Sequence, residues 1–211
     1  MKKILLSGAT ALMLTTSLSA DFLGAEVGYA AWMPELSGSI KGDHAADLNI
    51  DLQSQLGFGE NETNGFVWAY FDHFVPLIPN FKVQKTMYSD AASGTASVTY
   101  DNKTYSGVVN TEFTVDQIDL IAYYRILDNW VNLDLGLNFK VVDGNVNISD
   151  NQGTASTNKD FEVIIPMLYA KARFDLPFTG LSVEADGSYI GYDGNKFTDL
   201  KAGIAYESSY G

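Results

Sequence analysis

The chain has 211 residues, with 26 Asp and Glu against 13 Lys and Arg, a formal charge of −13 and no cysteine. An anion of this kind lacks the basic patch that sequence-independent nucleic-acid binding needs. The absence of Cys removes disulfide frameworks, thiolate nucleophiles and Cys-ligated zinc.

The chain opens on Lys2-Lys3, continues through an apolar run from Ile4 to Leu18 diluted by small and hydroxyl residues, and reaches Ser17-Leu18-Ser19-Ala20 before polar Asp21. This is the layout of a secretory signal peptide over residues 1–20, with cleavage expected after Ala20. The run is shorter than the roughly 20 residues a spanning helix needs. Loss of Lys2 and Lys3 takes the charge from −13 to −15 in an exported domain of residues 21–211.

From there the dominant signal has period two. Across 22–40, Ala25, Val27, Tyr29, Ala31 and Met33 alternate with Gly24, Glu26, Gly28, Ala30 and Trp32. A polar link over Lys41–Gly65 follows; the alternating Asp47–Leu52 inside it is expected as a hairpin extension. Runs at 64–75 and 81–100 flank the turn Pro76-Leu77-Ile78-Pro79-Asn80. In 108–126, Ile118, Leu120, Ala122 and Tyr124 oppose Gln117, Asp119, Ile121, Tyr123 and Arg125. In 130–147, Val131, Leu133, Leu135, Leu137, Phe139 and Val141 oppose Asn132, Asp134, Gly136, Asn138 and Lys140. Runs at 160–176, 181–192 and 197–207 repeat the pattern, with Pro166 marking a bulge or a sheet end because it cannot donate to a ladder.

Two architectures carry such strands. A soluble sandwich or lipocalin-like barrel turns the apolar face inwards; a membrane barrel turns it outwards to lipid. Three features favour an antiparallel up-and-down transmembrane β-barrel of eight visible strands. Several runs reach the residues, about 9–11, that cross a bilayer. Short links (76–80, 127–129, 177–180) alternate with long polar ones (Lys41–Gly65, Ser89–Gly107, Ser149–Lys159). Aromatics (Trp32, Trp68, Phe74, Phe81, Tyr123, Tyr124, Trp130, Phe174, Phe178, Tyr206) collect at strand ends, as at a membrane interface.

The segments Asp21–Gly28, 47–57, Pro76–Asn80, Tyr123–Asn129, Asp134–Leu137, Ile165–Tyr169 and Arg173–Leu181 together resemble a functionally uncharacterised family of small Gram-negative outer-membrane β-barrel proteins. The resemblance covers essentially all of residues 21–211. It implies a barrel in the outer membrane, in contact with lipid and lipopolysaccharide, but no activity and no catalytic residue. Members of that family continue through further strands to a terminal aromatic that the barrel-assembly machinery reads, whereas this chain stops at Tyr206-Glu207-Ser208-Ser209-Tyr210-Gly211. Two closures stay open: eight strands, or a ten-stranded barrel cut short, which the resemblance favours.

The chemistry-bearing residues fall into three groups. On the strand parity above, Glu26, Asp119, Arg125, Asp134, Lys140, Lys171, Arg173, Glu184, Asp186, Lys201 and Glu207 face the lumen, where cross-strand pairing is expected to offset their burial. Asp43, Asp47, Asp51, Glu60, Glu62, Asp90, Asp101, Asp150 and Asp160 crowd the external side, a field that could attract divalent cations. His44 and His73 are the only histidines, and neither is tied to a Ser or acid by a motif. Asp143–Asp150 resembles half a calcium loop, but Ile148 stands where the turn glycine belongs and Thr154 where the closing Glu belongs. The expected function is a structural or interaction barrel without enzymatic activity or cofactor. A narrow cation-preferring channel comes second, and an outer-leaflet lipid-modifying enzyme using His44 third.

Overall fold

The computed structural model describes residues 3–20, 23–41, 49–58, 63–75, 77–192 and 195–206. They form one antiparallel sheet and no helix: β1 (Lys3–Ala20), β2 (Leu23–Lys41), β3 (Asn49–Asp51), β4 (Asn64–His73), β5 (Asn80–Tyr100), β6 (Lys103–Asp128), β7 (Val131–Asp150), β8 (Ser156–Leu176), β9 (Leu181–Tyr192) and β10 (Asn195–Tyr206). Strand order follows chain order, with β3 set aside as a partner of β2. Apart from the 42–63 link that carries β3, the links are short, and short links favour hairpin pairing of neighbouring strands. The sheet curls into a half-barrel: Lys82 on β5 reaches Asp186 on β9 across the interior, at 2.9 Å. Among the described residues, β10 pairs only with β9 and β1 only with β2, so no backbone ladder joins the two ends.

Strands β2 and β4–β10 coincide with the eight alternating runs of the sequence, and β1 is a further long strand beside them. The segment expected to be a leader lies along the free side of β2, from Ala20 opposite Leu23 to Lys3 opposite Ser39. Cleavage after Ala20 would remove the whole of β1 and bare that edge. β3 pairs with Ser39–Lys41 of β2, the expected hairpin extension.

Two of the three long links are corrected. Ser89–Gly107 is a continuous hairpin: β5 runs to Tyr100 and β6 starts at Lys103. The two residues between them, Asp101 (φ 52°) and Asn102 (φ 57°), are both left-handed, the geometry that matches a two-residue turn to strand twist. Ser149–Lys159 shrinks to a turn between Asp150 and Ser156. Both segments read as loops because their side chains are polar on the outer face, although the backbone remains paired. Pro166 sits opposite Phe139 without a register shift, so there is no bulge; β9 leaves β8 at Leu168, so the sheet does end beside it.

The parity of the strands has a physical consequence. Val27, Val67, Phe71, Phe81, Val83, Ile118, Leu120, Leu135, Leu137 (51% exposed), Phe139, Leu168, Val183 and Leu200 point outwards and are exposed. Lys82, Gln84, Thr86, Asp119, Asp134, Asn138 and Lys140 point inwards and are buried. This is the reverse of a soluble domain, which buries apolar side chains and exposes charged ones.

Beyond this body, β5–β8 continue as long hairpins whose interior is apolar. Ile50 of β3, with Leu52, Leu56 and Phe58 from the segment after it, packs with Tyr88, Tyr105, Val109, Val115, Val142 and Ile148. Gly94 on β5 permits the approach, since a Cβ there would overlap the Gln55 carbonyl oxygen. Gly57, at φ +82°, lies against the Ser93 carbonyl oxygen and completes the contact between the two backbones.

Candidate functional site

The candidate site is the charged interior of the body, built by alternate positions of eight strands, β2 and β4–β10. Lys140 on β7, with none of its side chain exposed, lies 2.8 Å from Asp119 on β6 and 3.0 Å from Asp199 on β10. It also donates to Gln117 Oε1 at 2.9 Å. Lys201 on β10 lies 3.9 Å from Asp199 and 3.4 Å from Asp186, and Asp186 lies 2.9 Å from Lys82. Signs therefore alternate along Asp119, Lys140, Asp199, Lys201, Asp186 and Lys82, a chain that crosses the interior from β6 to β5. Asn138 donates to Asp119 at 2.6 Å and to Ser188 Oγ at 2.9 Å, tying β9 to the same network. Each charge taken out of water meets an opposite charge and further donors or acceptors, the condition under which such burial is tolerable.

Aromatic rings fill the remaining space. The Lys82 ammonium lies 4.7 Å from the Tyr70 ring centre and 5.7 Å from that of Tyr169; the Lys171 ammonium lies 4.4 Å from Tyr70. Such contacts place the negative ring face against a cation. Lys171 also pairs with Glu184 at 3.3 Å. Trp68 donates from Nε1 to Glu26 at 3.2 Å, and its indole covers Gly28, where a Cβ would overlap the ring. Towards the short turns, Arg125 bridges Asp134 at 3.1 Å and Asp72 at 3.0 Å, and Tyr123 donates its hydroxyl to Asp72. Arg173 pairs with Asp175 at 2.8 Å, which also accepts from Asn132. The cavity left among Phe66, Trp68, Tyr70, Lys82, Asp186 and Lys201 measures about 20 Å³, room for one water.

Of the eleven charges read from the sequence as facing the lumen, ten are described and occupy the interior face; Glu207 lies outside the described residues. Four members of the network were missed: Asp72, Lys82, Asp175 and Asp199. Lys82 was legible, since Phe81-Lys82-Val83-Gln84 alternates like its neighbours. Two of the aromatics assigned to strand ends are corrected. Trp68 and Tyr123 are buried on the interior face, because a hydrogen bond to a carboxylate holds each ring inside. Phe74, Phe81, Tyr124, Trp130, Phe174 and Phe178 are exposed near the short turns, with Trp130 and Phe174 stacked edge to face at 5.1 Å. The side chains of Trp32 and Tyr206 lie outside the described set.

The acidic residues beyond the body hold turns and hairpins. Asp51 accepts from the Ser54 amide and hydroxyl at 2.8 and 2.7 Å, and these bonds hold its carboxyl below the usual carboxylate range. Asp150 accepts from the Thr154 hydroxyl and amide, with the same lowering. Asp90 accepts from Tyr88, Asp101 pairs with Lys159 at 2.8 Å, and Asp160 accepts from Asn145 at 2.6 Å. Asp43, Asp47, Glu60, Glu62 and His44 lie outside the described residues. Asp143–Asp150 is strand throughout, and among the described residues no group of three His, Cys, Asp or Glu could hold a metal ion. His73 ends β4 and its ring holds the turn that follows: its Nδ1 accepts from the Val75 amide at 3.1 Å, and its Nε2 lies 3.0 Å from the Pro79 carbonyl oxygen.

Compared with known proteins, the chain matches no family model, no curated protein and no solved structure.

Proposed function

We propose that this protein is an exported, integral outer-membrane β-barrel protein with a structural or interaction role, in contact with lipid and lipopolysaccharide and inserted by the barrel-assembly machinery. The observation that carries this reading is the inversion of faces. A continuous band of exposed Leu, Val, Ile and Phe surrounds an interior of paired charges. In water this band would be an aggregation liability far larger than ordinary exposed apolar patches; in hydrocarbon it is the expected lipid face. Exposed aromatics near the short turns suit one interface, and polar hairpins beyond the band suit the outside.

A structural role is favoured over conduction because cross-strand ion pairs bridge the interior from β6 to β5. Among Phe66, Trp68, Tyr70, Lys82, Asp186 and Lys201 they leave a cavity of about 20 Å³. The experiment is planar-bilayer conductance of the refolded full-length chain. The expected result is an inserted but electrically silent protein; steady cation-preferring steps would replace the structural reading with the narrow channel.

A further inference from the structure

The four-stranded extension β5–β8 has two edges, and they are treated differently. On the β5 side, pairing with β4 ends at Met87; beyond it, Ser89 donates its amide to Asn64 and the 52–58 segment seats against Gly94. The chain covers its own edge there. On the β8 side, β9 leaves at Leu168, and among the described residues no strand pairs with that side of Asp160–Met167. Of this open side, Ile164–Met167 run beside Asn138–Val141 of the body, and Asp160–Val163 run beside Val142–Asn145 of the extension.

The side chains along this edge are ordered. Phe161, Val163 and Ile165 lie on the interior face, with the Phe161 ring over Gly144 and Ile165 packed against the apolar cluster. Asp160 and Glu162 lie on the outer face. Glu162 stands directly opposite Asp143 on β7, which stands opposite Asp116 on β6. Three carboxylates therefore sit side by side, an arrangement that costs stability unless a cation closes the row. Lys85 closes it at the β5 end, 3.0 Å from Asp116. At the β8 end the row stops at the open edge, where the next strand would stand.

We propose that this edge receives an extended cationic peptide segment of a partner, paired as an added strand. Lys or Arg at alternate positions would complete the row beside Glu162 and Asp160, and apolar residues between them would meet Phe161 and Val163. This is strand addition, in which main-chain bonds give affinity and alternate side chains give specificity. A second copy of this chain is disfavoured: pairing β8 with β8 so that the faces stay aligned brings the acidic pairs of the two copies together on one face. The proposal rests on the reading that β5–β8 project beyond the membrane.

The test is fluorescence anisotropy of a labelled nonapeptide alternating Lys and Val, titrated with the refolded full-length chain in detergent micelles. Saturable binding is expected. It weakens about tenfold, equivalent to about 1.4 kcal/mol, in the D160K/E162K double variant, and vanishes when alternate peptide nitrogens are methylated. Bound peptide slows amide exchange in Phe161–Ile165 but not in Phe81–Met87. An alternating Asp–Val peptide that binds equally well would overturn the proposal. So would N-methylated peptide that binds like its parent, or a chain that sediments as a dimer with this edge already protected. Failure to bind while cysteines at Leu135 and Leu137 still reside in lipid removes this proposal and leaves the membrane reading standing.

Discussion

The body and the extension of this sheet are built from the same strands and obey opposite rules. In β7, Leu135, Leu137 and Phe139 face out while Asp134, Asn138 and Lys140 face in; farther along, Asp143 and Asn145 face out while Val142 and Ile148 face in. The alternation never shifts register, and only the identity of the two faces changes, at about Val141–Asp143. A single strand thus carries two opposite patterns of burial. Charges paired inside hold the body, and apolar burial holds the extension, as it does an ordinary soluble domain.

The largest effect that sharpens this contrast comes from the charged interior. Lys140→Met leaves Asp119 and Asp199 without their shared cation and is expected to cost about 3–5 kcal/mol, the range for breaking a buried pair from one side. The check is urea unfolding of the whole sheet in micelles, and an effect confined to the extension would break the comparison. Leu56→Ala removes a fully buried side chain from the apolar cluster and is expected to cost about 2–4 kcal/mol. That loss should be local: exchange protection falls around Tyr88 and Tyr105–Val115 while Phe81–Met87 stays protected. If the body melts with it, the two regions are one cooperative unit.

Smaller changes probe the seam. Gly94→Val forces a side chain against the Gln55 carbonyl, and overpacking of this kind costs about 1–3 kcal/mol; protease cleavage within residues 52–58 should appear without loss of the barrel band on a gel. The smallest effect is a pH dependence. The Asp150 carboxylate is held below its ordinary pKa by Thr154, so its contribution is present above the unfolded value of about 3.9 and is lost as pH falls through the lower folded value. The Thr154 amide should therefore exchange faster only below about pH 4. Asp150→Asn should abolish that acid step, and a transition near pH 6 would contradict the assignment.

Much of the body was legible because its faces differ sharply in hydropathy: Val131–Val141 can be read by alternation alone. The extension was harder. Thr95, Ser97, Thr99 and Thr104 give no strong apolar face, so a paired hairpin resembled a polar loop; the Asp101-Asn102 turn was its signal. The interior charges could be placed by parity, but their partners could not. Lys82 and Asp186 are 104 residues apart, and strand curvature alone brings them together. Trp68 and Tyr123 show the remaining ambiguity, since an aromatic ring suits either face until its hydrogen-bond partner is known.

The inverted body is the central claim, and the absence of cysteine makes it directly measurable. Single cysteines at positions 134–139, each carrying an environment-sensitive fluorophore, would be examined in bilayers containing lipid-attached quenchers. Quenching should alternate with period two, strong at Leu135, Leu137 and Phe139 and weak at Asp134, Gly136 and Asn138. Uniformly weak quenching, with the chain remaining in the aqueous phase without detergent, would contradict it.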